Sequence, residues 1–324
     1  MRRALWLRGT CLITLLASGA ESIRAFGGED AATPASVKEP DGRSSKRLWT
    51  QYYELPGEKR IGRWLASAWV SPVDDVVAVG RELVVTCLAT SNECEVKELP
   101  TDNVLLGVWG RSVRDIYAVG GEDLVMRSDG RDWRVVNSQG RRVGPHGVMT
   151  LLHKVGPFLP NEIVAFGPAH AIKETPEGWA ELTKQERKAV WDVWGGLEPR
   201  VTPCGSQTPA RIADLQGKQW IICNDRRVFW FDGSSFEAHG RTPKVCLESA
   251  LDSIFWRGEL FVSCNGRVFR NSGSHWLAEA TPAFVRRFAA GPSCLYATGN
   301  WTVMRRCEGR NARTDVDRGE AGQD

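Results

Sequence analysis

The sequence predicts an all-β chain: a six-bladed β-propeller of four-stranded sheets, closed by an N-terminal strand that completes the last blade. Three observations lead there. A degenerate unit recurs along the chain. Short runs rich in Val and aromatic residues alternate with Gly, Asp, Asn and Ser, the pattern of strands and turns. The last unit also stops one strand short, while the body opens on an orphan strand.

The unit is clearest in its second copy. Strand A is read at Leu105 to Trp109, B at Asp115 to Val119, C at Leu124 to Arg127 and D at Trp133 to Val136. Asp129-Gly130 between C and D suits the positive φ of a tight hairpin. Glu177-Gly178, Asp232-Gly233, Ser272-Gly273 and Glu308-Gly309 occupy the same place in other copies, and Trp179, Phe236 and Trp276 follow three of them. Strand B ends near Gly80, Gly120, Gly167, Asn224, Asn265 and Gly299, at intervals of 40, 47, 57, 41 and 34 residues. These intervals bracket the length of one four-stranded blade. The longest is assigned an insertion, Leu197 to Gln219, between strands A and B. A seventh blade would have to hide in that insertion, which contains no second Asp-Gly turn. The stretch Ala180 to Val190 alone invites a helix, but its apolar spacing is poor.

Closure follows from the two ends. The sixth copy supplies A at Phe284 to Phe288, B at Cys294 to Thr298 and C at Thr302 to Arg306, then stops. Leu48 to Pro56 reads as the missing D strand. Pairing the two removes an open sheet edge and ties the ring together.

The flanks differ in character. Arg2, Arg3 and Arg8 precede the apolar run Cys11 to Leu16, and Ser18-Gly19-Ala20 places small residues at a cleavage position. Residues 1–20 therefore read as a signal peptide, too short for a permanent membrane span. Residues 21–47, rich in Ala, Gly, Pro, Ser and charge, read as a flexible linker; 48–310 as the propeller; 311–324 as a disordered tail. The expected location is exported: periplasmic, cell-surface or extracellular. The chain carries 42 basic and 39 acidic residues. The leader takes three arginines and no acid with it, so the remainder is formally neutral and gives no support to nucleic-acid binding. No membrane span is expected, and the chain is expected to be a monomer.

Eight of the nine cysteines lie beyond the leader, and an even number in an exported chain suggests disulfides. Cys87 and Cys94 flank Thr90-Ser91, and Cys294 and Cys307 flank Gly299-Asn300-Trp301, so each pair can meet across a hairpin. Cys204, Cys223, Cys246 and Cys264 admit three connectivities, of which Cys204 with Cys223 and Cys246 with Cys264 is favoured. Zinc is the rival use of cysteine, but no C-x-x-C pair is present and the five histidines (His146, His153, His170, His239 and His275) lack metal-ligand spacing. No metal or cofactor is expected, since neither G-x-G-x-x-G nor G-x-x-x-x-G-K-[ST] is present. No G-x-S-x-G elbow occurs either. Asn300-Trp301-Thr302 matches a glycosylation acceptor, a triplet common by chance.

The pattern Val108-Trp109-Gly110, Asp115 to Gly120, Asp129-Gly130 and Trp133 resembles the repeat of bacterial exported β-propellers, a group loosely similar to kelch, BNR and photosystem-assembly-factor-like propellers. The likeness covers most of residues 48 to 309, with the second copy nearest consensus. It implies a propeller and an extracytoplasmic location, and no single activity. The C–D turn also resembles the sialidase Asp box, but that motif separates its Asp and Gly by one residue, whereas Asp129-Gly130 are adjacent.

Propeller topology then nominates a site. B–C turns and D–A connections gather on one face around the channel mouth, where ring-shaped folds take ligands. The B–C turns contribute Arg81, Glu82, Glu122, Asp123, His170, Asp225, Arg226, Asn265, Arg267, Asn300 and Trp301. Mixed charges, amides and one indole suit a sugar or a peptide segment. Solvated turn charges are the bland reading of the same residues. Trp301 fits it least, because a large aromatic side chain beside a tight turn needs a partner. The other tryptophans at repeat positions (Trp109, Trp133, Trp179, Trp194 and Trp276) are expected between blades. The expected function is an exported non-catalytic binding or scaffold propeller recognising a protein or glycan at the cell envelope. A structural lid or assembly factor is a variant of the same reading. The alternative is a glycan hydrolase or lyase at the channel mouth, drawing carboxylates from Glu82, Glu122, Asp123 and Asp225. A sialidase-like site would instead converge Arg81, Arg226 and Arg267.

Overall fold

The computed structural model describes residues 37–38, 48–60, 62–138, 151–159, 162–167, 170–190, 204, 211–215, 218–223, 225–231, 235–246, 250–272 and 275–307. The expected signal peptide and tail, most of the expected linker, Trp194, His146 and the turns at Asp232-Gly233, Gly273 and Glu308-Gly309 lie outside them.

The described strands run in chain order as β1 (Val37–Lys38) and β2 (Trp49–Glu54), then blade by blade. Blade 1 holds β3 (Leu65–Val70), β4 (Val76–Gly80), β5 (Leu83–Cys87) and β6 (Cys94–Glu98). Blade 2 holds β7 (Leu105–Ser112), β8 (Asp115–Gly120), β9 (Val125–Ser128) and β10 (Trp133–Asn137). Blade 3 holds β11 (Lys154–Leu159), β12 (Glu162–Phe166), β13 (Ala171–Thr175) and β14 (Gly178–Glu181). Blade 4 holds β15 (Arg211–Leu215), β16 (Lys218–Ile222), β17 (Arg227–Phe231) and β18 (Phe236–Arg241). Blade 5 holds β19 (Ala250–Trp256), β20 (Glu259–Cys264), β21 (Arg267–Ser272) and β22 (His275–Glu279). Blade 6 holds β23 (Arg287–Ala290), β24 (Cys294–Thr298) and β25 (Thr302–Cys307).

Each blade is an antiparallel A-B-C-D meander, and β2 supplies the fourth strand of blade 6. Trp49 lies opposite Arg306 and Glu54 opposite Thr302, so the two ends of the body close the ring. The fold is a six-bladed β-propeller. Its A strands neighbour one another from blade to blade (β23 by β3, β3 by β7, β7 by β11, β15 by β19, β19 by β23).

Burial follows each strand's place in its blade. Strand B has sheet on both sides and a neighbouring blade on both faces, so Val76–Gly80 and Cys294–Thr298 are buried at every position. Their sequences are accordingly continuous apolar runs without alternation. Strand D faces solvent along its outer edge, and Gly178–Glu181 is mostly exposed. The core is divided into inter-blade seams. Val77, Val79 and Val84 of blade 1 meet Ile116, Ala118 and Met126 of blade 2. Tyr117 and Val119 of blade 2 meet Ile163, Ala165 and Ile172 of blade 3. Trp109, Trp133, Trp179 and Trp276 pack into such seams as expected.

The glycine that ends strand B has a steric cause. A Cβ at Gly80 or Gly120 would run into the carbonyl oxygen of the residue before strand A, Trp64 or Val104. The repeat keeps glycine there because a backbone crosses at contact distance.

Four disulfides join Cys87–Cys94, Cys204–Cys223, Cys246–Cys264 and Cys294–Cys307, the favoured set. Three expectations change. The insertion was placed at Leu197 to Gln219 between strands A and B, but strand A of blade 4 is Arg211–Leu215 and turns directly into B. The extra residues therefore fall in the connection between strand D of blade 3 and strand A of blade 4, not between A and B. That connection begins with a helix, α1 (Lys184–Val190). Thr183 caps it: its Oγ1 accepts from the Glu186 N–H at 3.2 Å, while the Glu186 carboxylate accepts from the Thr183 N–H at 2.8 Å. Strand A of blade 6 starts at Arg287, three residues beyond Phe284. Within the expected linker, Val37–Lys38 pairs in parallel with Trp276 and Leu277 on the outer edge of blade 5.

Candidate functional site

Every residue nominated from the sequence lies at a B–C turn. Arg81 and Glu82 join β4 to β5, and Glu122 and Asp123 join β8 to β9. His170 precedes β13, Asp225 and Arg226 precede β17, Asn265 and Arg267 flank Gly266, and Asn300 and Trp301 precede β25. The turns are tight. Glu82, Glu122, Asp123, Arg226 and Asn265 adopt left-handed φ of 61°, 58°, 56°, 72° and 48°. Non-glycine residues rarely hold that conformation without surrounding structure to fix it.

The D–A connections supply the fixation. Leu99 N–H donates to the Glu82 carbonyl, Thr242 to Arg226, Val285 to Gly266, Leu65 to Asn300 and Leu55 to Trp301, all within 2.8–3.0 Å. These bonds lace B–C turns and D–A connections into one rim.

The side chains divide into three kinds. Some carboxylates are already held by cations. Arg63 reaches Glu82 at 3.4 Å, and Arg227 reaches Asp225 at 2.6 Å. Lys59 and then Arg63 hold the neighbouring Glu98 below the usual carboxylate range. Other polar groups are enclosed. Asp123 was expected to line the mouth, but its side chain is fully buried, with His170 Nε2 at 3.5 Å and His170 itself nearly enclosed. The third kind is aromatic and cationic. Trp301 remains 39 % exposed, its Nε1 donating to the Arg63 carbonyl at 3.0 Å and Arg60 lying 5.7 Å from its ring. Its partner is thus the closing connection of the chain itself. Asn300 Oδ1 accepts from Arg286 Nε at 2.7 Å, and Arg286 lies 5.0 Å from the Trp64 ring.

Among the described residues, hollows open on this side of the ring. One of about 440 Å³ runs from Arg63 and Glu82 to Asp102; another of about 230 Å³ is walled by Ser67, Gly107, His153 and Lys154 on the A strands. A larger cleft of about 670 Å³ lies at the opposite ends of blades 1 and 2, between Glu95 and Trp133. Among the described residues, no group of three or more His, Cys, Asp or Glu is placed to hold a metal ion.

The three arginines of a sialidase-like site belong to blades 1, 4 and 5. Arg81 contacts its own neighbour Glu82 at 3.5 Å, and Arg267 lies 6.0 Å from the Phe269 ring of its own strand. Sequence reasoning missed the D–A contribution: Arg60, Arg63, Trp64, Phe284 and Arg286. Trp64 and Phe284 share one repeat position, immediately before the first buried residue of the A segment (Leu65 and Val285), and aligning the copies on that residue would have found them.

No protein-family model matches the chain, and no curated protein matches it. Solved structures do. A chain of the mitotic checkpoint complex is 10% identical with a TM-score of 0.54, covering 84% of this chain and 99% of its own. The WD40 β-propeller domain of Doa1 is 10% identical with a TM-score of 0.52, covering 78% and 98%. YCF48 bound to a D1 peptide is 10% identical with a TM-score of 0.49, covering 86% and 99%. At these identities the likeness is one of fold: the chain is a β-propeller like the WD40 domain of Doa1.

Proposed function

We propose that the chain is an exported, non-catalytic binding or scaffold propeller whose B–C rim takes a protein or glycan partner at the cell envelope. The observation that carries this reading is the state of the rim carboxylates. Of the four that a glycan hydrolase or lyase would draw on, Glu82 and Asp225 are tied to arginines and Asp123 is enclosed. Such an enzyme needs a proton donor and a second carboxylate flanking the bond it breaks. Four disulfides support an oxidising compartment, in keeping with the proposed leader at 1–20, linker at 21–47 and tail at 311–324. Among the described residues, no helix is long and apolar enough to cross a membrane.

The test is binding by the mature chain to a glycan array and, after crosslinking, to envelope fractions. Trp301→Ala on the rim should abolish the interaction, and Arg114→Glu at the opposite ends of the blades should leave it intact. Turnover of any glycan that disappears in the Glu122→Gln, Asp225→Asn double variant would overturn the reading in favour of the enzyme.

A further inference from the structure

Charge is not spread evenly around the rim. In the turns and connections 225–227, 241–246, 265–267 and 280–286, six cations run from Arg226 and Arg227 through Arg241 and Lys244 to Arg267 and Arg286. The one described carboxylate among them, Asp225, is taken by Arg227 at 2.6 Å. Over blades 1 and 2, by contrast, the charges are mixed: Glu58, Glu82, Glu98, Asp102, Glu122 and Asp123 stand beside Lys59, Arg60, Arg63 and Arg81. Among the described residues, positive charge thus predominates in the turns and connections of blades 4 to 6.

This sector is one continuous surface. The Thr242 N–H bonds the Arg226 carbonyl, Asn265 Nδ2 donates to the Val245 carbonyl at 3.1 Å, and the Val285 N–H bonds the Gly266 carbonyl. Arg286 then reaches Asn300, beside Trp301. Arg286 is the best-held cation of the sector. Its guanidinium lies 5.0 Å from the Trp64 ring and 5.9 Å from the Phe284 ring, and no described carboxylate pairs with it. Phe284 is 43 % exposed and rests against Gly266, where any Cβ would strike its ring. Two large aromatic side chains therefore stay open to solvent here: Phe284 beside a cation held by an amide and an indole ring, and Trp301, next in the chain to the Asn300 that holds that cation.

The kind of occupant follows from what the rim withholds. It is built of turns and D–A connections, so an extended peptide finds no strand edge to join there. What it offers is a planar guanidinium fork, two exposed aromatic rings and the Asn300 amide nitrogen. A sugar acid uses all of these. Its carboxylate meets the fork, its C–H face covers an aromatic ring, and a hydroxyl meets the amide nitrogen.

We propose that the rim over blades 4 to 6 binds an acidic oligosaccharide, with a uronate carboxylate on Arg286 and sugar rings against Phe284 and Trp301. The proposal rests on the rim being the binding face and narrows its ligand.

Calorimetric titration of the mature chain tests it, using an oligogalacturonate, its methyl ester, a polyglutamate of equal charge and a single-stranded oligonucleotide. The oligogalacturonate should bind, and the ester should bind at least about tenfold more weakly, the loss of one charge-assisted contact. Arg286→Gln and Phe284→Ala should each weaken binding by about the same factor, and Arg286→Lys should restore only part of it. Arg267→Gln, at an exposed position of the same sector, should also weaken binding and provides a second reading should Arg286→Gln unfold. Equal binding of the ester overturns the proposal. So does polyglutamate or oligonucleotide binding of equal strength that ignores Phe284→Ala, which would mark a bare charge patch. Absence of oligogalacturonate binding overturns it as well. If an envelope partner is still lost on Trp301→Ala in that case, only the ligand class falls; if no partner is found either, the binding face falls with it.

Discussion

The indole Nε1 of Trp49 donates to the Glu279 carboxylate at 2.7 Å across 230 residues of sequence. Trp49 opens the closing strand β2, and Glu279 ends strand D of blade 5. Arg306, opposite Trp49 in blade 6, approaches the same carboxylate at 3.2 Å, and Arg270 approaches it at 2.9 Å. The Glu279 and Arg306 side chains are 3 % and 4 % exposed. Ring closure therefore depends on a buried polar junction as well as on strand pairing.

Deleting parts of that junction should have graded effects. Trp49→Phe removes one donor to a buried charge and keeps most of the ring, and should cost about 1–3 kcal/mol. Glu279→Gln strips the carboxylate from a buried arginine and should cost about 3–5 kcal/mol. Urea unfolding midpoints of the two variants, read against the parent, check the order. Equal midpoints would remove the junction from the account of closure.

Cysteine stoichiometry checks export. The chain has nine cysteines, and the four disulfides use eight. Cys11, in the expected leader, is the ninth. A chain collected from the envelope or medium should show no thiol reactive to Ellman's reagent in denaturant. A chain that kept residues 1–20 should show one. A secreted chain with two or more reactive thiols would contradict the pairing.

Much of this fold could be read in the residues because the blade repeats its own constraints. Asp129-Gly130 announced a C–D turn, and the structure gives Gly130 a φ of 91° with Asp129 Oδ1 accepting from the Arg131 and Asp132 N–H groups. The orphan strand at Trp49 was legible because its partner at Thr302 to Arg306 lacked a fourth strand. Blade 4 was misread because Arg211–Leu215 lacks the Val-Trp-Gly signature. The extra residues sit before that strand, where the repeat pattern offers no marker for its start. Helix α1 carried a usable signal, Thr183 followed three residues later by Glu186, but a short helix has too few turns to show apolar periodicity. At the site, turn positions were legible and side-chain roles were not. Whether Asp123 is buried or Arg286 stacked depends on neighbours one blade away.

The strand-B glycines give a sharp steric test. A methyl group at Gly120 would overlap the Val104 carbonyl and approach Leu105 Cα, both backbone atoms that cannot swing aside. Gly120→Ala should destabilise by about 1–3 kcal/mol, the range of overpacking. Gly57→Ala is the control, because nothing lies within 4 Å of the added atom. It should fall within about 0.5 kcal/mol of the parent. Thermal melts of the pair decide the matter, and equal melting temperatures would mean that the two segments can separate freely.

Alkaline pH should unfold the propeller through its tyrosines. Tyr117 is fully buried between blades 2 and 3, and its hydroxyl lies 3.0 Å from both oxygens of Glu174. Burial, reinforced by that hydrogen bond, pushes its phenol from 10.0 up to about 12. Tyr296 is raised as well, by burial and then by Asp74; Tyr52 and Tyr53 are raised chiefly by burial. In the unfolded chain all four titrate near 10. The folded chain therefore holds more protons above that pH, so unfolding releases protons and stability falls as pH rises. The contribution of Tyr117 is intact below pH 10 and is lost as pH climbs towards about 12, a change on the order of 2–3 kcal/mol. Spectrophotometric titration should show the native tyrosinate band developing on the alkaline side of the denatured one. Tyr117→Phe should shorten the high-pH part of that curve and flatten the fall of the urea midpoint above pH 10, leaving the share due to Tyr296. A native titration that overlays the denatured one would show these phenols to be in contact with water.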